Sequence, residues 1–69
     1  MNDETMNTEI RRFLKKVGIQ SQQAIEGAIR DGLANGKLKG DEHFNAVMQL
    51  NIQDLDLNLE IQGNIALEK

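Results

Sequence analysis

The sequence predicts an α+β fold in two layers: an N-terminal helical hairpin packed on a C-terminal antiparallel β-hairpin or three-stranded meander. Three observations predict it. Residues 4–17 place apolar side chains at helical spacing, and residues 22–35 do so again after a glycine. Residues 45–62 then alternate apolar and polar side chains, with one interruption at Gln53-Asp54. At 69 residues the chain is expected to form one small domain, 1–69.

The first helix is expected over about residues 4–17, where Met6, Ile10, Phe13, Leu14 and Val17 fall in an arc of roughly 100°. Asp3 suits the N-cap, and Asp3 and Glu4 suit the positive end of the helix dipole. Lys15 and Lys16 occupy the last turn, where cations are favoured. Gly18 is expected to end the helix in the left-handed conformation, with Ile19 folding back toward Leu14.

The second helix is expected over about 22–35, capped by Ser21, although Ala24 stands where a capping box wants Glu or Gln. Ile25, Ala28, Ile29 and Leu33 form its apolar stripe, and Glu26 and Arg30 are spaced as an i,i+4 ion pair. Gly27 falls on the outer face, while Gly32 falls in the stripe and would admit a close neighbour. Asn35-Gly36 closes the helix, and Leu38 is expected to fold back onto it.

The strands are expected at 45–52 and 55–62, with Gln53-Asp54 as a two-residue loop. That register pairs Ile52 with Leu55, Leu50 with Leu57, Met48 with Leu59 and Ala46 with Ile61. It sends Asn51 with Asp56, Gln49 with Asn58, Val47 with Glu60 and Asn45 with Gln62 to the other face. A slip by one residue would exchange the faces, so the hydrophobic pattern specifies the pairing. Gln-Asp is not the Asn-Gly or Asp-Gly that such a loop prefers. Gly63-Asn64 reads as a second turn, leading to a short strand at 65–68. The sheet edges are guarded only by Lys69 and scattered acids.

Composition narrows the function classes. The chain has no Cys, which excludes disulfides and thiolate metal sites and is compatible with the cytoplasm. The opening "MNDETMNTE" does not look like a signal peptide, and no apolar run is long enough for a bilayer, so no membrane role is expected. Residues 1–40 hold seven basic and five acidic side chains, and residues 41–69 hold one and six, giving +2 and −5. A domain this small is marginal without help, and association with a second copy is the help left open.

No nucleophile–base pair, phosphate loop or nucleotide fingerprint is present. His43 sits beside Asp41 and Glu42 without the spacing of a metal motif and reads as part of a solvated loop. Asp56 and Glu60 read as the polar face of a strand, Asp54 as a turn residue and Ser21 as a cap. No enzyme activity, no cofactor and no metal are therefore expected. An alternative reading takes segment 13–33 as a helix-turn-helix with Gly18 in its turn. Arg11, Arg12, Lys15 and Lys16 would then meet phosphates, and Gln22 and Gln23 base edges. The acidic hairpin opposes that reading, and nucleic acid is disfavoured as a partner.

The segments "RRFLKKVGIQSQQAIEGAIRDGLANGKLKG" and "LDLNLEIQGNIALEK" resemble a family of short uncharacterised bacterial proteins, a domain of unknown function. The resemblance spans nearly the whole chain. It rests on Phe13-Leu14-Lys15-Lys16-Val17-Gly18, on Gly36 and Leu38, and on Leu55-Asp56-Leu57 with Gly63 and Ile65. Gln53 and Asp54 depart from the Pro and Gly expected in relatives. The resemblance implies a bacterial, cytoplasmic protein and assigns no chemistry. The sequence as a whole is read as a small non-catalytic protein-interaction module, homodimeric through a sheet edge.

Overall fold

The computed structural model describes residues 1–68; Lys69, counted above as an edge guard, lies outside them. The chain divides between Lys37 and Leu38 into two compact units, one helical and one built of strands. The architecture is α+β, in the order helix α1 (Asp3–Ala34), strand β1 (His43–Ile52), a 3₁₀ turn (Gln53–Leu55) and strand β2 (Leu57–Ala66).

The helical hairpin expected from the sequence is not formed, because α1 runs unbroken through Gly18 and Ser21. The reason lies in the phase of the apolar residues. Val17, Ser21, Ala24 and Ala28 continue the steps of three and four begun at Met6. At about 100° per residue, Ala28 returns to the direction of Ile10, so the apolar direction carries across Gly18 and Ser21 before it swings toward Ile29 and Leu33. A helical glycine costs about 1 kcal/mol against alanine. Breaking the helix would instead expose a fresh set of unpaired N–H and C=O groups at each new end. A Cβ placed on Gly18 would meet nothing within 4 Å, so no neighbour requires a glycine there. Ile19, expected to fold back on Leu14, continues the helix instead and is 49% exposed.

The N-cap is Asn2 rather than Asp3: its side-chain oxygen accepts from the Thr5 N–H at 3.1 Å. Asp3 and Glu4 then fill the first turn, as the dipole favours. The helix ends where expected. The Asn35 N–H donates to Asp31 and the Gly36 N–H to Leu33, with Gly36 at φ 81°. The Asn35 side chain also accepts from the Lys37 N–H at 2.9 Å. Glu26 accepts from the Gln22 amide at 3.0 Å, one turn away. Among the described residues, Arg12 and Glu9 form the ion pair within reach, at 3.1 Å on an exposed surface.

The second unit is a two-stranded antiparallel ribbon. Its register pairs Ile52 with Leu57, Leu50 with Leu59, Met48 with Ile61, Ala46 with Gly63 and Phe44 with Ile65. Compared with the sequence expectation the loop is longer by two residues, and Leu55 and Asp56 belong to it rather than to a strand. Gln53–Leu55 make one 3₁₀ turn, and Asp56 follows in the left-handed region at φ 52°. Its N–H closes onto the Gln53 carbonyl at 3.0 Å. Gln-Asp cannot readily supply the positive φ at both central positions that a tight two-residue loop needs, whereas a four-residue loop needs it once, at Asp56.

A shift of two residues leaves every side chain that remains in a strand on its expected face, while Leu55 and Asp56 leave the ribbon for the loop. The third strand at 65–68 is not formed, since β2 continues through Gly63-Asn64 to Ala66. Gly63 has no positive φ, and extending the pairing to Phe44 and His43 satisfies four more residue pairs than a turn there would allow. The Leu67 N–H prolongs the ladder to the Glu42 carbonyl at 3.0 Å.

Candidate interaction surfaces

Each unit presents one apolar side. On α1 the apolar side runs from Met6 through Ile10, Phe13 and Leu14 and then swings round through Ile25 to Leu33, with Phe13 50% and Leu14 53% exposed. Val17, Ser21 and Ile29 are half-buried, and Gly32 is the buried residue of the helix. No hydrophobic side chain among the described residues counts as core. A helix with one apolar side gains its stability from what that side packs against rather than from propensity alone.

The ribbon has two unlike faces. One carries Phe44, Ala46, Met48, Leu50 and Ile52 against Ile65, Gly63, Ile61, Leu59 and Leu57. The other carries His43, Asn45, Val47, Gln49 and Asn51 against Ala66, Asn64, Gln62, Glu60 and Asn58. This second face is dominated by amide side chains, and Val47 is the large apolar residue among them, 50% exposed. An isolated two-stranded ribbon is marginal in water; a third strand or a covering layer is needed for independent stability.

The ladder also fixes which backbone groups are free. The Leu67–Glu42 bond marks that pair as one that exchanges backbone hydrogen bonds. Bonded and non-bonded pairs alternate along an antiparallel ladder. Phe44, Ala46, Met48, Leu50 and Ile52 therefore direct their N–H and C=O groups toward β2. His43, Asn45, Val47, Gln49 and Asn51 direct theirs away from it, along the open edge of β1.

Glu42 holds the entry to the ribbon. Its carboxylate accepts from the Lys39 N–H at 2.8 Å and the Gly40 N–H at 2.9 Å, and these two bonds set its pKa below the ordinary 4.5. Gly40 supplies the φ of 110° that this close turn requires.

The residues of the helix-turn-helix reading lie on one straight helix, without the turn that such a motif needs at Gly18. Arg11, Arg12, Lys15 and Lys16 sit roughly 100–160° from the centre of the stripe formed by Met6, Ile10, Phe13, Leu14 and Val17, whereas Gln22 shares the side of Ile29 and Leu33 and Gln23 lies away from it. Arg12 is taken by Glu9 and Gln22 by Glu26. His43 opens β1 rather than lying in a loop, and pairs with Ala66. Among the described residues no three His, Cys, Asp or Glu side chains gather as a metal site would require. No helix among them is long and apolar enough to cross a membrane.

Sequence reasoning missed two features here: the continuity of the helix through Gly18 and the freedom of the β1 edge. The steps of three and four across Val17, Ser21, Ala24 and Ala28 signal the first. The second follows from the ladder, in which the odd-numbered residues of β1 bond outward, and pairing Ile52 with Leu55 would signal the same.

A helix followed by a two-stranded ribbon, each with an exposed apolar side, defines a small α+β chain. The model of the "Family of unknown function (DUF6494)" matches residues 1–68, and the chain belongs to that family. This agrees with the resemblance to a short domain of unknown function. Comparison with curated proteins and with solved structures yields no match.

Proposed function

We propose that the chain is a small non-catalytic protein-interaction module and that its first partner is a second copy of itself, met through a sheet edge. One observation supports this above the others: no hydrophobic side chain among the described residues is buried as core, while large apolar residues line one side of the helix and one side of the ribbon. Surfaces of this kind on a small chain are what association covers. The cysteine-free composition suits the cytoplasm, which is the compartment proposed.

Sedimentation velocity over a concentration series tests the reading. A reversible shift from monomer to dimer supports it. A monomer up to millimolar concentration removes the self-association. Interaction with another protein then stands or falls on whether affinity capture from the native host retains a partner that Phe13→Asp and Met48→Asp variants lose.

A further inference from the structure

The two edges of the ribbon are not equivalent. The outward-bonding residues of β2 are Asn58, Glu60, Gln62, Asn64 and Ala66, so that edge carries an acid, and the strand also contains Gly63. Charge and glycine are devices that discourage edge pairing. The outward-bonding residues of β1 are His43, Asn45, Val47, Gln49 and Asn51, with no Asp, Glu, Lys, Arg, Pro or Gly anywhere in the strand. A long, uncharged, extended edge is a template for another strand.

Deepening the self-association proposed above, and resting on it, we infer that two copies join β1 to β1 antiparallel, with the two-fold axis at Val47. Two requirements select this register. The apolar faces must coincide, which demands that odd positions meet odd positions. Every outward N–H and C=O must also find a partner.

Centring the pair on Val47 places His43 opposite Asn51 of the second copy, Asn45 opposite Gln49, and Val47 opposite Val47. All five outward-bonding residues are then satisfied. Centring on Met48 also keeps the faces together but leaves His43 without a partner. Centring between residues 47 and 48 turns the apolar face of one copy to the polar face of the other.

The chosen register also accounts for Val47. A large aliphatic side chain among amides has no partner within its own ribbon, where it faces Gln62. At the axis it meets its own copy, a cross-strand pair of β-branched residues of the kind that stabilises sheets. On the other face, Phe44 meets Leu50 and Ala46 meets Met48 of the second copy. The product is a four-stranded sheet ordered β2–β1–β1–β2 with one continuous apolar face. The acid-bearing strands become its outer edges, where charge prevents further growth.

Substitution on the amide face leaves the ribbon's own apolar face untouched, so the test can separate edge from fold. Val47→Lys sets two ammonium groups against each other at the axis and is expected to raise the dimer dissociation constant by about tenfold or more. Gln62→Lys, directly across the ribbon but on β2, is expected to leave it within about twofold. Far-ultraviolet circular dichroism verifies that both variants keep the native fold.

Because the chain has no cysteine, Val47→Cys is expected to oxidise to a symmetric dimer, and Glu60→Cys is not. Dimers that survive Val47→Lys, weaken with Gln62→Lys or cross-link through Glu60→Cys overturn the β1 edge while leaving self-association intact. A wild-type chain that stays monomeric overturns both.

Discussion

Gly18 and Gly36 are one residue type under opposite demands. Gly18 lies inside α1 with open space around it, and Gly36 holds φ 81° just past the helix end. Gly18→Ala is therefore expected to raise stability by about 1 kcal/mol. Gly36→Ala is expected to lower it by about as much, since alanine resists a positive φ. Urea unfolding followed by circular dichroism at fixed protein concentration checks both. A helix that broke at Gly18 would reverse the first sign, so the same pair of variants also distinguishes one long helix from a helical hairpin.

Glu42 gives the residue scale its pH dependence. Hydrogen bonds from the Lys39 and Gly40 N–H groups lower its pKa in the folded state. The stability it contributes is fully present above its ordinary value of 4.5 and is lost as pH falls through the lowered one. The Lys39 and Gly40 amide resonances are expected to titrate below pH 4.5 in the native chain and to show no such step in Glu42→Gln.

At the scale of elements, the turn between the strands carries a local cost. Asp56 is the non-glycine residue among those described with a positive φ, at 52°. Asp56→Gly is expected to stabilise the ribbon by about 1 kcal/mol by removing the steric penalty of a left-handed side chain. Thermal melts that show no gain would indicate that the aspartate side chain offsets its own backbone cost.

The elements also show what the sequence could and could not disclose. The alternation over residues 45–52 and 57–62 determines the two faces of the ribbon and was legible without coordinates, whereas its extension to Phe44 and Ile65 was not, because Gly63-Asn64 reads as a turn. The loop length was not, because pairing Ile52 with Leu55 and pairing it with Leu57 give the same faces. The helix posed the opposite difficulty. Its local signals of interruption, Gly18 and the half-built cap at Ser21, were clear, but the phase of the stripe across them outweighed both. Local propensity yielded to the cost of opening a second pair of helix ends.

At the scale of the whole molecule, the described residues include no hydrophobic side chain buried as core. Stability that depends on a second copy depends on concentration, because association binds the folded state and not the unfolded one. The melting temperature is accordingly expected to rise by several degrees across a hundredfold increase in protein concentration; calorimetry checks it. An unchanged melting temperature would mean that each chain stands alone.

The apolar residues of the helix and of the ribbon and the thinly guarded sheet edges were legible in the sequence, but the exposure of those apolar residues was not, because two packed layers were expected. Which edge stands open follows from the ladder: the odd-numbered residues of β1 bond outward, and a two-residue loop pairing Ile52 with Leu55 leaves the same groups free.

The four-residue loop keeps Ile52, Leu50 and Met48 on one side with Leu57, Leu59 and Ile61. A residue gained or lost within the bend leaves those partnerships standing, because loops of two to five residues all close a hairpin, whereas one gained or lost inside a strand turns everything beyond it over.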